Sequence, residues 1–345
     1  MIRFLRDHNV FTFKNEKDWR RHQSDFLLKK RKKAFVSKAL SFVFPLCIAG
    51  LLAGGTWFFL FSSGGSKAPS AAVHIPVHPI ERPLSVHLSR PEIKDLIRNI
   101  DFLNTEQNRF HAQREGQALE VITSLSPPLQ KFILSSLKRL KTLSRGKPRR
   151  IAIVAMDGLT GRILALAGFD LDDPRANPCL ASDYPAASVF KIVTAAAAVD
   201  ALGYSPQTPL YFNGNKYTLY KRQLKETRNR YTVKTTLAGA FAESVNPVFG
   251  KLGKNRLGRE KLTHYARAFG FNQALAWELS FEPAQFSAGD GEYHLAELGC
   301  GFNTNTEISP LFGALMVSCV LNGGKSLVPS VVDQVKSPSG EVIYK

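Results

Sequence analysis

Cysteine is scarce in this sequence, with four residues in 345, and no C-x-x-C spacing occurs. Cys47 lies inside a long apolar run, so Cys179, Cys300 and Cys319 are left to form at most one internal disulfide, and a cross-linked framework is excluded. Metal ligands are thin as well. His74 and His78 share a Pro-rich stretch that cannot be the single helix face a zinc pair at that spacing needs, and no metal site is expected. The Asn-Gly-Gly-Lys-Ser run at 322–326 is not a phosphate-binding P-loop, since Cys319 stands where the first glycine belongs. Acids are the other shortage: 28 Asp/Glu against 46 Lys/Arg give a net charge of +18, which points to nucleic acid, anionic lipid or a polyanionic substrate. A hydrophobic content of 44% excludes disorder for most of the chain. The length suits two domains of roughly 150 residues.

The location of the charge narrows the choice. Residues 1–38 hold twelve Lys/Arg and four acids, a net +8, and the next 28 residues carry no charge at all. Within them Ala39–Ser62 is apolar for 24 residues. At about 1.5 Å per residue this is long enough to cross a hydrocarbon core of about 30 Å with some tilt. The basic cluster abuts the span on its N-terminal side and the far side is nearly neutral, so the positive-inside rule places the N-terminus in the cytoplasm and the rest outside. Both the lead and the apolar run are too long for a cleavable signal peptide, and an uncleaved signal anchor in the plasma (inner) membrane is expected, with the C-terminal domain extracytoplasmic or periplasmic. The cluster lacks interleaved aromatics and its place beside the bilayer explains it, so nucleic acid is not expected as a partner.

Beyond the span, residues 63–90 are rich in Ser, Gly, Ala and Pro and read as a linker. Ile93, Leu96, Ile97, Ile100 and Leu103 recur at helical spacing, so 91–122 is expected to be a short helical juxtadomain segment, in which Phe102, Phe110 and Ile122 suit a local core better than a partner surface. Leu129 to Leu140 repeat the pattern after Pro127 and Pro128. From Arg150 the texture turns strand-like: IAIVAM, the turn DGLTG and RILALAG make a hairpin apolar on both faces, hence covered by helices on both sides. SVFKIVTAAAAVDALG, from Ser188, has scarcely any polar face and ends at Gly203, which predicts a buried central helix.

That helix carries a chemical anomaly. Ser188 and Lys191 stand at i, i+3 where the neighbouring positions demand burial. A lysine there either snorkels to solvent or works. Desolvation disfavours the ammonium, and a buried amine beside a hydroxyl can make that hydroxyl nucleophilic, with N–H groups of the helix start available to an oxyanion. Ser-x-x-Lys alone is weak, since it also occurs at Ser135/Lys138 and Ser144/Lys147 in basic, solvated-looking sequence.

The order of further segments adds to this. TSLSPPLQ (123–130), DGLTGRILALAG (157–168), YPAASVFK (184–191), SVN (244–246), ELGCGF and EISP (297–310), NGG then VP (322–329) and SGEVIYK together resemble the transpeptidase domain of penicillin-binding proteins, over 123–345. The resemblance implies an α/β (α+β) fold, an antiparallel sheet covered by helices around the buried Ser-x-x-Lys helix. It implies Ser188 as the nucleophile on the D-Ala-D-Ala amide of a peptidoglycan stem peptide, Lys191 as its base, Ser244 as a proton relay to the leaving amine, and Asn246 holding Lys191 and the substrate carbonyl. β-Lactams would acylate Ser188, no cofactor is implied, and a cell-wall synthesis complex is a possible partner.

Two departures from the family pattern stand out. Ala186-Ala187 replace the usual Pro-Gly, which stiffens the approach without removing chemistry. The family's Lys-Thr-Gly motif does not occur, Lys325-Ser326 being followed by Leu327, and the family would place it several tens of residues past Lys345. That strand supplies a cation and one oxyanion donor, worth about 3 kcal/mol, and it covers an edge of the hairpin. A truncated or split product, or a domain completed by a partner chain, is therefore expected, and a catalytically silent scaffold or β-lactam sensor stands as the alternative to an active enzyme. A β-lactamase lacks a local signature for its deacylating base. A glycosyltransferase domain has neither room nor an acidic cluster ahead of residue 123.

Overall fold

The computed structural model describes residues 87–143, 146, 148–275 and 277–345. The basic tail, the apolar span at 39–62 and the linker as far as residue 86 lie outside them, and among the described residues no helix is long and apolar enough to cross a membrane.

The segment expected to be helical over 91–122 is helical only at its start. Helix α1 (Arg90–Leu96) opens on a reciprocal cap, with the Ser89 N–H and Oγ donating to Glu92 at 2.8 and 2.7 Å. The chain then makes strands β1 (Arg109–Arg114) and β2 (Gln117–Thr123). They are joined by Glu115-Gly116, both at positive φ (52° and 79°), a backbone twist that suits a two-residue hairpin. Phe110, Ala112, Leu119 and Val121 are buried while their neighbours face out, a period of two. The helical spacing just upstream had masked this alternation. Phe102 and Phe110 meet edge-to-face at 5.2 Å inside the core.

Helix α2 (Pro127–Lys141) starts on its two prolines, as expected. Strands β3 (Arg150–Met156) and β4 (Ile163–Asp170) form the antiparallel hairpin. Ile133 and Leu137 of α2 pack on Ala165, Ala167 and Phe169 on one face. On the other, Ala152, Val154 and Met156 meet a core that includes Leu311 and Leu315. The outer edge of β4 is closed by side chains: Gln130 and Asn104 bond the backbone groups of Leu166 and Gly168 at 2.9–3.2 Å. Beside β3, no second strand stands among the described residues.

The remainder is mainly helical: β5 (Tyr184–Pro185), α3 (Lys191–Leu202), β6 (Pro209–Phe212), β7 (Val233–Thr236), α4 (Leu237–Ala242), α5 (Asn246–Lys251), α6 (Gly258–Ala268), α7 (Glu292–Cys300), β8 (Glu307–Ile308), α8 (Pro310–Leu321), β9 (Val332–Lys336) and β10 (Val342–Tyr344). The last two strands return to the first, giving a four-stranded antiparallel sheet in the order β1-β2-β9-β10. Residues 91–122 thus share one core with the C-terminal hairpin. Buried Glu278 pins this junction by accepting from Ser330 Oγ, the Val331 and Val332 N–H groups and Tyr344 Oη, so its carboxylate is fully satisfied. The fold is mixed α/β, with antiparallel sheets packed against helices and α3 at its centre.

Candidate active site

Ser188 sits on a single 3-10 turn, Ala187–Phe190, that leads directly into α3. In this tighter spiral i and i+3 eclipse, which stacks Ser188 and Lys191. The intervening Phe190 is fully buried and plugs into an aromatic cluster, 5.7 Å from Phe271 and 5.8 Å from Phe286, with Phe271 in turn 5.0 Å from Phe312. Anchored this way, the turn presents Ser188 to solvent and drives Lys191, 1% exposed, inward. Gly203 ends α3 at φ 66°, as its sequence position predicts.

Lys191 Nζ lies 2.9 Å from Ser188 Oγ, 2.8 Å from Asn246 Oδ1 and 2.6 Å from the Cys300 carbonyl. Among the described residues it has no carboxylate within ion-pair distance. Burial pulls its pKa below the ordinary lysine range, and neighbouring Cys300 works in the other direction more weakly. The three contacts suit an ammonium with three donors. They equally suit a neutral amine whose two N–H groups go to Asn246 and Cys300 while its lone pair faces the Ser188 hydroxyl. Ser244 Oγ donates to Ser188 Oγ at 2.9 Å from the opposite side.

Each of these groups is set by the backbone. Asn246 opens α5 just before Pro247; its N–H donates to the Lys216 carbonyl at 2.8 Å and its Nδ2 to the Tyr217 carbonyl at 3.0 Å, which fixes Oδ1 toward the lysine. Ser244 is held at φ 53° and Ala187 at φ 46°, both in the left-handed region. Such residues cost about 1–3 kcal/mol each and concentrate at functional sites. Ala187 occupies the position where the sequence comparison expected glycine, and the backbone explains that preference. The Cys300 carbonyl comes from the C-terminal end of α7, where a cation is favourable. Its approach needs two small residues in contact, since a Cβ on Gly299 would meet Gly253 Cα at 2.8 Å. A Cβ on Gly301 would strike the Ala187 carbonyl at 1.7 Å.

The penicillin binding protein transpeptidase domain family matches residues 151–345, more than half of the chain. The chain belongs to this family. It is 27% identical over 263 residues to the peptidoglycan D,D-transpeptidase PbpA of Mycolicibacterium smegmatis, covering 66% of this chain and 51% of that protein. It is 26% identical over 209 residues to stage V sporulation protein D of Bacillus subtilis, covering 55% and 31%. Penicillin-binding protein A of Mycobacterium tuberculosis, solved as its penicillin G acyl-enzyme complex, superposes with a TM-score of 0.51 at 25% identity over 64% of this chain and 56% of that one. The chain spans about half the length of the PbpA relatives it matches.

All four expected site residues, Ser188, Lys191, Ser244 and Asn246, therefore converge on one point. Of the other Ser-x-x-Lys pairs, Ser135 is exposed on α2 and bonds only the Phe132 carbonyl, and Ser144/Lys147 lies outside the described residues. The sequence left out the acceptors: the Cys300 and Tyr217 carbonyls, and the Thr194 Oγ1 bond to the Gly299 carbonyl at 2.8 Å that ties α3 to α7. The Gly-Cys-Gly triplet at 299–301 was the available signal, since small residues on both sides of a helix end mark a close approach. The thiols themselves are free and inert, with burial raising Cys179 to about 11 and Cys300 to about 12.

Proposed function

We propose that this chain is a membrane-anchored, penicillin-binding serine D,D-transpeptidase of the cell envelope, with residues 1–38 in the cytoplasm, 39–62 crossing the bilayer, 63–90 as linker and the transpeptidase domain outside. The observation that carries the reading is a buried lysine amine with only neutral partners, 2.9 Å from an exposed serine hydroxyl. In this mechanism neutral Lys191 takes the Ser188 proton as Oγ attacks the carbonyl between the two D-Ala residues of a stem peptide. The tetrahedral oxyanion gathers toward the Ser188 N–H at the start of the helix. Collapse breaks the amide, the proton held on Lys191 passes by way of the Ser244 hydroxyl to the leaving D-Ala amine, and the acyl-serine is captured by an amine of a neighbouring strand. Asn246 keeps the lysine aligned throughout. A β-lactam enters the first half of the cycle and stops at the ester.

The test is labelling of the full chain in membranes with a fluorescent penicillin, beside Ser188→Ala. Labelling of the wild type that disappears in the variant is the expected result. A folded wild-type chain that takes no label overturns the reading. Labelling without turnover of a D-Ala-D-Ala peptide would make the protein a β-lactam sensor or scaffold.

A further inference from the structure

Residues 211–234, the long connection between β6 and β7 with the adjoining ends of both strands, carry seven Lys/Arg against one acid, Glu226, a net +6. This is a third of the whole chain's +18 in 24 residues. Exposed cations of this density ordinarily collect carboxylates. Here, among the described residues, Lys221, Arg222, Lys225, Arg228, Arg230 and Lys234 have none within 4 Å, while Lys216 pairs with Glu243. Cations lie over tyrosine rings instead: Arg228 is 3.7 Å from the Tyr211 centroid, Arg230 4.7 Å from Tyr231, Lys216 5.1 Å from Tyr217 and Arg222 5.2 Å from Tyr220.

Tyr217, Tyr220 and Tyr231 remain 61%, 51% and 68% exposed. Tyr220 and Arg222 line a cavity of about 420 Å³ together with amides and hydroxyls, among them Asn213, Asn215, Thr218 and Asn229. Its floor is built in advance, because buried Gln223 donates to the Asn213 and Asn215 carbonyls and accepts from the Tyr220 N–H and Thr218 Oγ1. Flat rings, fixed amides and unneutralised guanidinium groups are the complement of sugar rings bearing carboxylates. The same segment supplies the Lys216 and Tyr217 carbonyls that orient Asn246, so the surface adjoins the serine. An anionic lipid surface fits less well, since the one large aliphatic side chain exposed in the segment is Val233.

We propose that residues 211–234 form a docking surface for a carboxylate-bearing glycan, with its sugars on the tyrosines and its carboxylates on the unpaired cations, which leads a strand toward Ser188. What the strand delivers there rests on the function proposed above, whereas the binding itself does not.

The experiment is co-sedimentation of the detergent-solubilised full chain with purified peptidoglycan sacculi, before and after hydrofluoric acid removes phosphodiester polymers. It is repeated for Arg222→Gln/Arg228→Gln/Arg230→Gln and for Tyr220→Leu/Tyr231→Leu. Wild type is expected to bind both preparations, the triple variant to lose about tenfold in affinity and the double variant several-fold, with penicillin labelling of Ser188 unchanged in each. Unchanged binding by both variants overturns the proposal. So does equal affinity for a single-stranded DNA of matched charge, which would mark a general polyanion surface, and binding lost on acid treatment would overturn the carboxylate assignment in favour of phosphate. A wild type that sediments but takes no penicillin sinks the transpeptidase reading and leaves this surface standing.

Discussion

Lys191 and Lys251 are both buried in the helical half, at 1% and 7% exposure, and burial lowers the pKa of each. They mark the two ends of α5: Lys191 meets Asn246 at its start and Lys251 is its last residue. Lys191 meets a hydroxyl, an amide and a carbonyl, all neutral. Lys251 donates to the Tyr211 carbonyl at 2.9 Å and has the Glu226 carboxylate 3.7 Å away, a charge that pushes its pKa back up. Burial is therefore common to a base and to a structural cation. What separates them is whether the ammonium has an anion to keep it.

Three experiments sharpen or break that contrast. The largest effect is expected from comparing Lys191→Met with Lys251→Met in penicillin acylation. The first should slow it by about a thousandfold, within the range of a lost general base, and the second by less than about threefold at the same pH, with thermal melts reporting whether each variant folds. Equal losses would make both lysines structural. Next, Asn246→Asp puts a carboxylate where an amide oxygen lies 2.8 Å from Nζ. Because the neutral amine is the active form and burial favours it, the wild-type rate should climb with pH through a pKa below the ordinary lysine value. The variant raises that pKa, so its rising limb moves to higher pH and its rate at neutral pH falls by about tenfold or more. A pH profile that does not move would remove Lys191 from the proton path. The smallest effect concerns strain, which Lys251 lacks: the positive-φ residues Ala187 and Ser244 flank Lys191 alone. Ala187→Gly should stabilise the protein by about 1 kcal/mol in thermal unfolding, and a lowered melting temperature would contradict that origin.

Much of this site could be read from the residues because its signals are side chains. A run with no polar face had to be buried, so Lys191 stood out. Asn246 and Ser244 were weak on their own and gained meaning from their order after Ser188. Backbone acceptors leave no such trace: nothing in the letter code says that the carbonyl of Cys300 or of Tyr217 will point at a particular donor. The fold was legible where one signal dominated, as in the continuous apolar runs of the β3–β4 hairpin and the helical spacing of α2. It was misread at 91–122, where a helical spacing of five aliphatic residues runs into an alternation carried by only two buried residues on β1, Phe110 and Ala112. The anchor expected at 39–62 lies outside the described residues.

The two buried acceptors around Lys191 have a consequence for inheritance. Replacing this lysine strands the Asn246 amide oxygen and the Cys300 helix-end carbonyl, at about 1–3 kcal/mol for each buried group left without a partner, whereas exposed Ser188 keeps Ser244 and solvent. A lineage that lost turnover would still be held to the lysine by folding alone, while the exposed serine would be free to drift. Retention of Ser188, rather than of Lys191, is the more telling mark that acylation is still under selection.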